Sequence, residues 1–172
     1  PPPPAPNTTL FRSGNHSLRE LNTTNFPFGA ESVDFVILTH AHIDHSGLLP
    51  KLVKEGFAGE IYATKATVDL LEFMLADSAH IQESNAERTN RKRKRRGQPL
   101  VEPAYGMEEV RAALELMRPL EYEAWFEPCE GIRVRFWNAG HILGSASAEV
   151  VFDRDTSGNN LRLLFSGDLG PD

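Results

Sequence analysis

The chain has 172 residues, of which 40% are apolar and 24% charged, so it is long enough for one globular domain with a sizeable core. Its net charge of −6 argues against a uniformly basic nucleic-acid-binding surface. Cys129 is the single cysteine, which excludes an internal disulfide and fits a cytoplasmic location. No apolar stretch approaches the ~18 residues of a membrane span, so we expect no membrane partner.

Residues 1–25 are rich in Pro, Asn, Ser and Thr and predict a polar lead-in that packs poorly. The compact part is expected over residues 26–172. The apolar run 33–38 predicts a buried strand, and a helix is expected from about Ser46 to Gly56. A short strand at 60–63 then leads into a long helix, predicted from residue 64 to about 90 because apolar side chains recur at spacings of three and four.

The second half of the chain changes from helical to strand patterns. A helix is predicted over 107–118, ended by Pro119, and strands at about 131–138, 146–152 and 161–166. A turn rich in Asp, Gly and Asn, at 153–160, joins the last two strands as a hairpin. Strand–helix alternation followed by an antiparallel run predicts an α/β fold, with a mixed sheet covered by helices.

Four metal-capable side chains follow directly after the first predicted strand. They are His40, His42, Asp44 and His45. Imidazole nitrogen and carboxylate oxygen are both zinc ligands. His40 and His42 are two residues apart on an extended segment and so point to the same side, whereas Asp44 and His45 can turn to a second ion. Helix capping by Asp44 or Ser46 is the alternative, but it does not explain three histidines within six positions.

Two further candidate ligands, His141 and Asp168, lie where later strands end, and glycines flank both. Taken alone, His141 would more often be a structural histidine and Asp168 a turn carboxylate. However, four adjacent ligands cannot close two coordination spheres by themselves. We therefore predict that His141 and Asp168 join the first cluster in one cleft at the edge of the sheet.

These motifs together resemble the metallo-β-lactamase fold, in its RNA-processing β-CASP branch. The motifs on which this resemblance rests are His-x-His-x-Asp-His, Gly-His-Ile-Leu-Gly-Ser-Ala and Ser-Gly-Asp-Leu-Gly. Segments 77–83 and 90–92 also look like those of the bacterial members of this branch. The resemblance implies an αββα sandwich with two zinc ions at its edge. By that resemblance His40, His42 and His141 would hold one zinc and Asp44 and His45 the other, with Asp168 bridging them; Asp44 is also assigned a catalytic role.

The resemblance implies a zinc-dependent metallohydrolase, a nuclease that cleaves phosphodiester bonds of single-stranded RNA. The alternatives are a small-molecule hydrolase of the same fold, acting on a thioester or a lactam, and a non-catalytic scaffold. The chain ends at Asp172, before the β-CASP domain, and no aspartate precedes Asp34. We therefore expect a partial domain with an incomplete second zinc site and little or no RNA cleavage on its own.

An uninterrupted run of six Lys and Arg residues follows the long predicted helix. Its members are Arg91, Lys92, Arg93, Lys94, Arg95 and Arg96. We predict that this run contacts RNA phosphates, while a solvated basic loop at the end of a helix is an equally open interpretation. The sequence also leaves a homodimer open.

Overall fold

The computed structural model describes Asn22, residues 24–153 and residues 160–171. Most of the predicted lead-in (1–21 and 23) and residues 154–159 of the predicted turn lie outside the described residues. No described helix is both long enough and apolar enough to cross a membrane.

A parallel sheet forms the first half of the fold, preceded by a short 3-10 helix at Ala30–Ser32. Its strands, in spatial order, are β1 (Phe35–Ile37), β2 (Glu60–Thr64) and β3 (Met117–Leu120). Parallel neighbours need crossover connections, which helices supply here. The helices are α1 (Ile43–Ser46), α2 (Leu49–Lys54), α3 (Lys65–Arg95) and α4 (Met107–Glu115).

An antiparallel sheet forms the second half of the fold. Its strands, in spatial order, are β4 (Phe126–Cys129), β5 (Ile132–Asn138), β6 (Ala146–Phe152) and β7 (Leu161–Phe165). The parallel and antiparallel strands thus occupy two sheets rather than the one mixed sheet that the pattern suggested. Strands that are joined by short turns pair in antiparallel fashion, whereas strands that are joined by helical crossovers pair in parallel.

Two apolar cores hold these layers together. The larger lies between the helices and the outer side of the parallel sheet, and Leu49, Ile61 and Leu71 are fully buried in it. The smaller lies between the two sheets, where Phe136 of β5 packs with Tyr62 of β2. The described layers therefore run helix, sheet, sheet, as expected for part of an αββα sandwich.

Two predicted helices begin or end elsewhere than expected. The helix expected from about Ser46 to Gly56 is α2, which begins at Leu49, and the separate short helix α1 precedes it, so Asp44 and His45 lie on a helical turn. Helix α4 ends at Glu115, and Pro119 belongs to β3. The prediction that Pro119 ends a helix was therefore wrong; β3 is an edge strand, where a residue without an N–H group is tolerated.

The long helix α3 extends over 31 residues, to Arg95. The basic run is therefore helical as far as Arg95, and the interpretation of it as a loop is wrong. Cations are favourable in the last turns of a helix, because they face the negative end of its dipole. Arg91 also forms an ion pair with Glu87, one turn earlier, at a distance of 2.7 Å. Such a pair stabilises the helical conformation.

Candidate metal centre

Three loops at one end of the two sheets bring four of the predicted ligands together. His40 and His42 follow β1, His141 lies between β5 and β6, and Asp168 follows β7. One nitrogen or oxygen atom from each of the four lies within 4.8 Å of the others. Backbone hydrogen bonds join the loops, since Ala146 N–H donates to the Thr39 carbonyl at 2.7 Å and Gly170 N–H to the Ala139 carbonyl at 3.0 Å.

The other two predicted ligands, Asp44 and His45, face the same cluster from helix α1. Nε2 of His45 lies 3.5 Å from Oδ1 of Asp168 and 3.8 Å from Oδ2 of Asp44. Oδ2 of Asp168 instead faces His40 and His141, at 3.8 and 3.7 Å from their Nε2 atoms. The carboxylate of Asp168 thus stands between two groups of donors, and all six predicted residues share one site.

The chemistry of the buried His40 fits a metal ligand. Its Nδ1 lies 3.1 Å from the Thr39 hydroxyl, whereas its buried Nε2 has no hydrogen-bond partner among the described residues. Burial, followed by the neighbouring imidazole of His45, lowers the pKa of His40 to about 4. A neutral imidazole whose Nδ1–H donates to Thr39 presents the Nε2 lone pair to the cluster.

The spacing of the donor atoms also fits a small divalent cation. Nε2 of His141 lies 3.1 Å from Nδ1 of His42. Two tetrahedral nitrogen ligands of zinc, each at roughly 2.0–2.1 Å from the metal, are about 3.3 Å apart. The described donor set therefore matches a zinc-sized ion, although metal binding by these six residues stays a prediction.

The loop that carries His141 is held by residues that the sequence analysis did not identify as part of the site. The Ser145 hydroxyl oxygen accepts from the His141 N–H at 3.0 Å. The Gly144 carbonyl accepts from the hydroxyls of Thr64 and Thr67, at 2.6 and 2.9 Å. Thr64 also caps helix α3, so the start of that helix is tied to the metal-site loop. A threonine at a helix start is a capping signal in sequence, and it did not reveal this second role.

Gly144 offers a test of how tightly this loop is packed. Gly144 and Gly140 both have positive φ, at +81° and +68°. An added Cβ at Gly144 would lie 2.5 Å from Thr67 N, whereas no atom of the described residues lies within 4 Å of an added Cβ at Gly140. Each Ala substitution costs about 1–2 kcal/mol of backbone strain. We expect Gly144→Ala to lower the free energy of unfolding by roughly 2 kcal/mol more than Gly140→Ala, because it adds a steric clash. Urea denaturation measures both, and equal losses would show that Thr67 does not restrain the loop.

The basic run lies far from this cluster. Helix α3 is tied to the His141 loop through Thr67, near its start, whereas Lys92 lies in its last turns. At a rise of 1.5 Å per residue the two positions are about 40 Å apart. The structure therefore does not bring Arg91–Arg96 to the metal site, and their contact with RNA stays a prediction.

The fold and the donor cluster together define a class of protein, and the chain belongs to it: the metallo-beta-lactamase superfamily, whose family model matches residues 25–172. This confirms the predicted family and fold class. Proteins of this superfamily bind metal ions, which agrees with the His and Asp cluster.

Among curated relatives, the chain is 39% identical over 149 residues to Ribonuclease TTHA0252 of Thermus thermophilus, covering 87% of this chain and 29% of the relative. It is 36% identical over 123 residues to Transcription termination factor FttA of Methanothermobacter thermautotrophicus, covering 72% of this chain and 17% of the relative. The chain thus spans less than a third of the length of these relatives. Among solved structures, it matches a subclass B3 metallo-beta-lactamase from a soil metagenome library with a TM-score of 0.48 at 15% identity, over 80% of this chain and 43% of that one.

Proposed function

We propose that this chain carries the zinc centre of a metal-dependent nuclease of the β-CASP branch that cleaves RNA phosphodiester bonds. The convergence of His40, His42, His141 and Asp168, with His45 on the other oxygen of Asp168, supports this proposal most strongly. One of the relatives is named a ribonuclease, which favours RNA as the substrate over a lactam or a thioester.

The six donors would divide between two zinc ions. His40, His42 and His141 would hold the first, Asp44 and His45 the second, and Asp168 would contribute one oxygen to each. Bound zinc would supply a nucleophilic water near neutral pH and would neutralise charge that develops on the phosphate.

The chain's own residues would orient the donors and take up a proton. Thr39 holds the ring of His40 through Nδ1, and Ser145 holds the backbone of His141. A hydrogen bond to the second ring nitrogen, as in His40, fixes the direction of an imidazole's lone pair, and the bond from Ser145 holds the loop that carries His141. The side chain of Asp44 is 49% exposed, so its carboxylate is open to the incoming water and can accept its proton. This is the catalytic role that we assign to Asp44.

The test compares three substrates with the zinc-loaded chain in excess over substrate: a labelled single-stranded RNA, a chromogenic lactam and a thioester. We expect slow cleavage of the RNA only, because no residue has been assigned to protonate the leaving oxygen. Asp168→Ala should remove this activity, while Asp153→Ala, which alters an exposed carboxylate in another part of the protein, should leave it unchanged.

Two results would contradict the proposal. Faster hydrolysis of the lactam or the thioester would establish the small-molecule alternative. RNA cleavage that persists unchanged in Asp168→Ala would show that the activity does not come from this centre. We further propose a cytoplasmic location, in keeping with an RNA substrate. The homodimer stays a prediction that sedimentation would check.

A further inference from the structure

A groove of about 420 Å³ lies at the far end of helix α3 from the metal centre. The helix supplies one wall, with Arg88, Lys92 and Arg96 on successive turns, and Gln98 lies beyond the helix end. The remaining lining residues are Asn85, Thr89 and Arg93. Every lining side chain is cationic or a neutral hydrogen-bonding group, so the groove is suited to an anion.

Hydrogen bonds between helix α3 and the segment that follows it hold the groove in a defined shape. The chain turns at Gly97, and the Gln98 N–H donates to the Arg93 carbonyl at 3.0 Å. Asn90 then exchanges two hydrogen bonds, both of 2.8 Å, with the backbone of Val101. Arg93 also donates to the Pro99 carbonyl at 2.9 Å. The segment after the helix is therefore fastened back along α3, and this keeps the groove in shape.

The positive charge of the groove is concentrated and largely uncompensated. Residues 88–96 contain seven of the chain's 18 Lys and Arg residues and no Asp or Glu, in a chain of net charge −6. Arg91, outside the groove, is paired with Glu87. Within the described part of the chain, Arg88, Lys92 and Arg96 form no ion pair, so they are available to an external anion.

The arrangement of these cations favours a polymer of phosphates. Positions four residues apart on a helix rise by about 6 Å, which is of the order of the distance between successive phosphates along a single strand. The lining contains no aromatic side chain, so bases would not be stacked or read. It contains no apolar side chain either, whereas a helix that binds a membrane surface buries an apolar face.

We propose that this groove binds the backbone of single-stranded RNA through Arg88, Lys92 and Arg96, without sequence preference and at the far end of helix α3 from the His141 loop. The inference rests on the proposed RNA substrate and adds a second, remote contact with it. An RNA of about 24 nucleotides extends over roughly 80 Å even at the stacked rise of about 3.4 Å per nucleotide, so it is long enough to reach both places.

The experiment compares two triple variants that remove the same charge. Arg88→Gln, Lys92→Gln and Arg96→Gln neutralise the groove, whereas Lys94→Gln, Arg95→Gln and Arg111→Gln neutralise exposed cations outside it. Fluorescence anisotropy with a labelled RNA of about 24 nucleotides gives the affinity as a function of salt concentration. Zinc content is measured on the same samples.

We expect the groove variant to bind RNA at least about tenfold more weakly at low salt, with its log–log salt slope reduced by about 2, which corresponds to three lost phosphate contacts. The control variant should lose less than half as much RNA affinity as the groove variant, and neither variant should lose zinc. Equal losses in both variants would assign binding to diffuse charge and overturn the groove. A wild type that binds no RNA would overturn it too, as would anionic vesicles that bind the groove as tightly as RNA does. Groove-dependent RNA binding by a chain that takes up no zinc would leave the groove standing and refute only the metal proposal.

Discussion

His42→Ala should abolish tight zinc binding, while His80→Ala should leave it unchanged. His42 presents Nδ1 to Nε2 of His141 at 3.1 Å inside the donor cluster, whereas His80 is an exposed histidine on helix α3. Removing a group that only orients a ligand typically costs 10–100-fold in metal affinity. Because His42 is proposed as a ligand itself, we expect a loss of more than about 100-fold.

Competition with a chromogenic chelator measures this affinity directly, and the thermal midpoint provides a second measurement. A ligand that binds only the folded state raises the midpoint by mass action, so zinc should stabilise the wild type and His80→Ala but not His42→Ala. A His42→Ala protein that still binds zinc as the wild type does would remove His42 from the coordination sphere. If the His80→Ala protein lost zinc as well, the bound metal would lie elsewhere.

Zinc titration of the wild-type chain should show two binding steps of unequal affinity. The first position is offered three imidazoles and one carboxylate oxygen, from His40, His42, His141 and Asp168. The second is offered one imidazole and two carboxylates, from Asp44, His45 and Asp168. Three protein ligands with two or three histidines are the common set for catalytic zinc, so the first position should retain its metal on dialysis and the second should lose it.

Two substitutions distinguish the positions. Asp44→Ala should remove the weaker step alone, because its carboxylate lies beside His45. Asp168→Ala should remove the weaker step and also weaken the tighter one, because its two oxygens face different donors. Cobalt substitution gives an independent measurement, since its absorption bands report coordination at each step. One binding step in the wild type, or loss of both steps in Asp44→Ala, would contradict the assignment of Asp168 as the bridge.

The sequence by itself was sufficient to predict the family, which the family model confirms, and to propose the six candidate donor residues. His40, His42, Asp44 and His45 are neighbours in the chain, and helix capping alone does not require so many ligand-type side chains in one short stretch. Glycines beside His141 and Asp168 marked the ends of later strands, where side chains reach the edge of a sheet. These signals are local in the chain, so they can be read without knowing how distant segments pack.

The tertiary structure alone decided how distant segments meet. Pairing partners made Pro119 part of an edge strand, although the local pattern predicted only that it ends the helix at 107–118. The contacts of Thr64 and Thr67 with Gly144 span 80 and 77 positions, and nothing near either threonine in sequence indicates them. The same holds for the basic run: its composition predicted phosphate contact, but only the continuous helix α3 shows that it lies at the far end of that helix from the His141 loop. Packing free energy depends on the surfaces that several elements present together, and a single stretch of sequence contains only one of those surfaces.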